Sequence, residues 1–95
     1  MNNSQEFRFI NGAPKRLLLV IEPISSEFWI ESHATVKILV EGDDVPATLD
    51  VEYLAGGMVV YTSEGSRVQV FKNGRHLPQG RRSKRMASRL FRQSS

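Results

Sequence analysis

The sequence predicts an all-β body, a small antiparallel β-sandwich or partly open barrel of six to seven short strands, followed by a basic C-terminal tail. Apolar and polar residues alternate from Phe7 to about Leu77, and a period of two marks a strand with one buried face. Turn-forming clusters punctuate that alternation at Asn11-Gly12-Ala13-Pro14, Gly42-Asp43-Asp44, Ala55-Gly56-Gly57, Ser63-Glu64-Gly65-Ser66 and Asn73-Gly74, as chain reversals between short strands require. No stretch before residue 80 sustains a helical period. A chain of 95 residues, 40% apolar and 24% charged, has material for one core. The expected division is an all-β domain over 1–78 and a flexible or transiently helical tail over 79–95, with Pro78-Gln79-Gly80 at the boundary.

The elements follow in order. Phe7 and Phe9 flank Arg8 in a first short strand, whose charge suits a sheet edge. From Arg16 to Glu22 both faces are apolar, Leu17, Leu19 and Ile21 on one and Leu18 and Val20 on the other, so a central strand covered on both sides is expected. Pro23 ends its ladder because proline has no amide hydrogen to donate. Phe28-Trp29-Ile30 forms an aromatic strand, and Val36, Ile38 and Val40 alternate with Lys37, Leu39 and Glu41 in the next. Leu49, Val51 and Tyr53 alternate with Asp50 and Glu52. Two hairpins then lead through the uncharged strand Met58 to Thr62, expected to be interior, to Arg67–Lys72, so that 47–72 reads as a three-stranded meander. Asn73-Gly74 returns a last short strand at Arg75-His76-Leu77.

Charge is divided unevenly along the chain. Residues 1–74 hold six bases and ten acids, whereas residues 75–95 hold seven bases and no acid. On a helix of about 100° per residue, Met86, Ala87, Leu90 and Phe91 share one side of the tail and Arg81, Arg82, Lys84, Arg85, Arg89 and Arg92 share the other. Such a segment suits phosphates, an anionic membrane surface or a partner's apolar groove. Membrane is the least expected of these, because three sizeable apolar residues bury little area. The aromatic residues of the body, Phe7, Phe9, Phe28, Trp29, Tyr53, Tyr61 and Phe71, read as core rather than as a stacking platform. The six cations of the tail are therefore the candidate nucleic-acid contacts. Trp29 and Tyr53, each with a polar handle, are the candidate ligand contacts.

The absence of cysteine excludes disulfides, thiolate metal sites and cysteine nucleophiles. His33 and His76 stand far apart, and Glu31-Ser32-His33 supplies at most part of a ligand set. No serine lies in a nucleophile-elbow pattern and no glycine run precedes a helix. No catalytic residue, metal or cofactor is assigned. Met1 to Glu6 lacks a basic stretch followed by an apolar run, so a cytoplasmic location is expected, with a monomer or weak dimer as the oligomeric state.

The run Leu17-Leu18-Leu19-Val20-Ile21-Glu22-Pro23, followed by Phe28-Trp29-Ile30 and Val36-Lys37-Ile38, resembles small uncharacterised bacterial β-proteins in which an extended strand ends in Glu-Pro. The resemblance covers about 15–75 and implies a bacterial β-fold with no activity attached. The functional expectation is a non-enzymatic binding or accessory module, contacting nucleic acid or another polyanion through the tail. A protein-interaction module using the β-body and a small-ligand or metal-dependent enzyme are the alternatives.

Overall fold

The computed structural model describes residues 3–78. These form eight strands and no helix: β1 (Ser4–Ile10), β2 (Leu17–Glu22), β3 (Ser26–Ile30), β4 (Thr35–Glu41), β5 (Leu49–Leu54), β6 (Gly57–Thr62), β7 (Arg67–Lys72) and β8 (Arg75–Leu77). Sheet I has the order β1-β4-β7-β8 and sheet II the order β3-β2-β6-β5. The described residues are thus all-β, with one strand more than the expected six to seven. The tail over 79–95, with Arg81, Arg82, Lys84, Arg85, Arg89 and Arg92, lies outside the described residues.

Alternation decides which side chains face inward. Leu19 and Ile21 of β2, Phe28 and Ile30 of β3, Val36, Ile38 and Val40 of β4, Met58 and Val60 of β6 and Val70 of β7 belong to one buried cluster drawn from both sheets. Each fully buried aliphatic side chain of this kind stabilises the fold by about 1.5–3 kcal/mol relative to exposure. The central placement expected for β2 is present: it lies between β3 and β6, and Leu18, Leu19, Val20 and Ile21 are all buried. β6 is interior and β1 is an edge, as the charge pattern indicated.

Two expectations need correction. The pairing is not wholly antiparallel, because β2 and β6 run parallel, Leu18 opposite Gly57 and Glu22 opposite Tyr61. Nor is 47–72 a meander. β5 and β6 form the expected hairpin, but β7 crosses to sheet I and pairs with β4, Ile38 opposite Val70. A turn sequence such as Ser63-Glu64-Gly65-Ser66 reverses the chain without specifying whether the next strand pairs locally or bends to the opposite sheet. Burial of Val70 in the shared core decides for the second. The last hairpin is as expected: Asn73 (φ 51°) and Gly74 (φ 82°) both take left-handed backbone, and β8 returns along β7 with His76 opposite Phe71, which is the two-residue turn that matches strand twist.

Asn11 joins the two sheets at the β1–β2 corner. It is buried, its amide Nδ2 donates to the carbonyls of Lys15 and Ile30 at 3.0 Å each, and its Oδ1 accepts from Ala13 N–H at 3.1 Å. Its backbone N–H donates to Ala34 O at 3.0 Å, while its carbonyl accepts from His33 N–H at 2.6 Å. One side chain thereby fixes the β1–β2 loop against the end of β3.

Candidate binding surfaces

Once the register is known, the outward residues of each sheet fall into rows. On sheet I, Arg8 lies opposite Lys37, Lys37 opposite Phe71 and Phe71 opposite His76. This row crosses all four strands on the face turned away from the core. Lys37 Nζ sits 4.5 Å from the Phe71 ring centroid, and the His76 ring meets Phe71 edge-on at 5.2 Å. The expectation that Phe71 belongs to the core is corrected here: it is half-buried on the outer face, because β7 turns Val68 and Val70 inward and Phe71 outward. Phe28 is core, and Phe7 and Phe9 pack against it as expected. Arg8 is held by Glu6, Nε to Oε2 2.6 Å.

Sheet II presents the opposite charge. Its outer rows run Trp29, Leu18, Gly57, Leu54, then Glu27, Val20, Val59, Glu52, then Glu22, Tyr61, Asp50. Four carboxylates therefore surround an apolar centre. Tyr61 donates its hydroxyl proton to Glu52 Oε1 at 2.8 Å, and that hydrogen bond, with some burial and the nearby carboxylate charge, raises the Tyr61 phenol above its ordinary value. The Arg16 guanidinium lies over the Trp29 ring, 3.9 Å from its centroid.

The two candidate ligand contacts are not brought together. Trp29 is on β3 and Tyr53 on β5, the two edges of sheet II, and they point to opposite faces, since Tyr53 lies opposite the core residue Met58 whereas Trp29 lies opposite the outward Leu18. Tyr53, 72% exposed, instead borders a largely apolar cleft of about 440 Å³ with Ile10, Pro14, Arg16, Leu17 and Met58.

Among the described residues, no group of three or more histidine, aspartate or glutamate side chains could hold a metal ion. Glu31 is instead engaged by Lys72, whose Nζ donates to both carboxylate oxygens at 2.7 and 2.9 Å. His33 sits in an exposed turn with φ 68°. The Lys72 hydrogen bond, aided by one from the backbone of Glu31 itself, lowers the Glu31 carboxyl below its ordinary 4.5. Because the folded value is lowered, the stabilisation is present above 4.5 and is lost as pH falls through the folded value. Lys72→Met should return the Glu31 titration upward toward 4.5, read by side-chain carboxyl NMR; an unchanged midpoint would assign the depression to the backbone alone.

No helix among the described residues is long and apolar enough to cross a membrane. The row on sheet I escaped the sequence reading because Arg8, Lys37, Phe71 and His76 are dispersed in the chain and become neighbours only through non-local pairing. Comparison with known proteins gives no matching family model, no matching curated protein and no matching solved structure.

Proposed function

We propose that this two-sheet body is a β-sandwich serving as a non-enzymatic binding module, which contacts nucleic acid or another polyanion without sequence preference through the basic segment after Pro78. The observation that carries this is where the chain leaves the body. β8 is the edge strand of sheet I, the sheet whose outer face presents Arg8, Lys37, Phe71 and His76 in a row. The bases Arg81, Arg82, Lys84, Arg85, Arg89 and Arg92 follow β8 in the sequence. Cations track the phosphates and release counterions, while a half-buried ring flanked by a cation offers a stacking face to an unpaired base. A bacterial, cytoplasmic monomer or weak dimer belongs to the same proposal, as does the likeness of 15–75 to small bacterial β-proteins. A second possibility, a small apolar ligand, is favoured by the cleft beside Tyr53 and Arg16.

The test is a salt titration of binding to unrelated single-stranded DNA and RNA oligonucleotides. The logarithm of affinity should fall with the logarithm of salt by about 0.7 per phosphate neutralised. Replacing Arg81, Arg82, Lys84 and Arg85 by glutamine should flatten that slope, and Phe71→Ala should weaken binding without changing it. Absence of binding at low salt, or a slope indifferent to the four glutamines, would refute the proposal.

A further inference from the structure

β1 is an edge of sheet I, with no further strand beside it among the described residues. Hydrogen bonds at its two ends show which of its backbone groups face that open side. Gly42 N–H donates to Asn3 O at 2.9 Å, and Asn11 N–H donates to Ala34 O at 3.0 Å. In an antiparallel ladder successive residues turn their N–H and C=O groups to opposite sides. Gln5, Phe7 and Phe9 therefore bond to β4, while Ser4, Glu6, Arg8 and Ile10 direct theirs outward. A free row of this kind is a template for another strand. We propose that the strand it accepts is β1 of a second copy, antiparallel about a twofold axis at Phe7, which joins the sheets I of two molecules into one.

Charge selects this occupant and this register. Pairing about Phe7 sets Glu6 opposite Arg8 of the second copy, Arg8 opposite its Glu6, and Ser4 opposite its Ile10, so every hydrogen-bonded pair is drawn from outward-facing residues. Moving the axis to Glu6 or to Arg8 uses the same backbone groups but sets Glu6 against Glu6 or Arg8 against Arg8, and like charges directly opposite destabilise a sheet. The exposed Glu6 and Arg8 are already joined within the strand, Nε to Oε2 2.6 Å. The same pair from a second copy closes an alternating square of four charges without breaking that contact.

The inner face agrees. Phe7 and Phe9, with ring centroids 5.8 Å apart, are only half-buried at this edge. The proposed register brings Phe7 against Phe7 of the second copy and Phe9 against its Gln5, which extends the apolar layer across the axis. β5, an edge of sheet II, is protected from the same event, because self-pairing centred on Val51 sets Asp50 against Glu52. The inference rests on the weak-dimer reading above and supplies its interface; polyanion binding does not enter it.

The test uses the full chain without nucleic acid. Sedimentation over a concentration series should show a monomer–dimer equilibrium, and amide exchange at Glu6, Arg8 and Ile10 should slow as concentration rises, with Gln5, Phe7 and Phe9 protected throughout. Arg8→Glu gathers four carboxylates at the axis and Glu6→Arg gathers four guanidinium groups, so each variant alone should dimerise about tenfold or more weakly than the wild type. An equimolar mixture of the two restores opposite charges across both pairs and should form a one-to-one heterodimer, a recovery that misfolded chains could not show. A wild type that stays monomeric up to millimolar concentration would overturn both the interface and the dimer reading. A dimer that either substitution leaves intact, or a mixture that associates no better than its components, would overturn the interface and leave the dimer reading standing. Neither result would alter the salt titration by which polyanion binding is judged.

Discussion

Gly57→Ala should leave the protein largely unfolded at moderate temperature. Gly57 opens β6 directly opposite Leu18 of β2, and a Cβ there would stand 2.2 Å from Leu18 O, 3.1 Å from Leu18 C and 3.2 Å from Leu18 N. All three are backbone atoms of the strand at the centre of sheet II, so no rotamer change relieves the overlap. Only separation of β2 from β6 does, and that breaks the ladder between two buried strands. Overpacking of a well-filled interior costs about 1–3 kcal/mol when side chains can adjust; with backbone on both sides the upper end or more is expected. For a domain of this size about 3 kcal/mol corresponds to a loss of about 12–24 °C in melting temperature. Gly12→Ala is the matched control, because nothing lies within 4 Å of its Cβ position, and it should shift stability by less than about 0.5 kcal/mol. Thermal and urea unfolding of the two variants side by side decides the matter; a Gly57→Ala protein that melts with the wild type would show that the β2–β6 contact is not as close as described.

Asn11→Ala should be the next most damaging single change. Losing the side chain removes three hydrogen bonds at once and strands the buried Ile30 carbonyl, together with the Lys15 carbonyl and the Ala13 amide. Unsatisfied buried groups cost about 1–3 kcal/mol each, and with partial access of water to the outer two a total of about 2–4 kcal/mol is expected. Asn11→Asp should be worse at neutral pH, since a carboxylate faces two carbonyl oxygens with no proton to offer them. Its folded-state pKa would be raised, so the variant should regain stability as pH falls toward the carboxyl range. Urea midpoints of the alanine and aspartate variants at pH 7 and near pH 4 separate the two effects. An aspartate variant as stable as wild type at pH 7 would mean that the Asn11 amide does not donate to these carbonyls.

How legible these features were depends on their range along the chain. The period of two in Leu17–Glu22 and the absence of charge from Met58 to Thr62 placed β2 and β6 in the interior, because alternation and charge are local properties. The parallel β2–β6 register was not legible, since many pairings bury the same faces equally well from the viewpoint of either strand alone. Val68 and Val70 likewise announced a strand but not its sheet. Phe71 was misplaced for a related reason: the Arg67–Lys72 pattern alternates, yet the outward position happens to be filled by an aromatic residue, so hydrophobicity alone pointed the wrong way. The acidic character of Asp50 and Glu52 was visible from the start, but their assembly with Glu22 and Glu27 around Leu18, Val20 and Val59 required four strands to be laid side by side. The candidate surfaces are therefore products of topology, whereas the core is a product of local pattern.

The pairing of β2 with β6 also sets a constraint on synthesis. A ribosome delivers Leu17–Glu22 well before Gly57–Thr62, and β3 alone covers one edge of that strand in the meantime. Until the later strand emerges, a nascent chain carries an open edge on a six-residue run of leucine, valine and isoleucine with a single charge, the composition from which cross-β assemblies grow. Non-local partners make folding slow, so the interval is long relative to the collapse of a local hairpin. Production of the protein should accordingly be sensitive to translation rate and to holding chaperones in a way that its final stability does not reveal, and chains interrupted between Pro23 and Gly57 should aggregate rather than persist as soluble fragments.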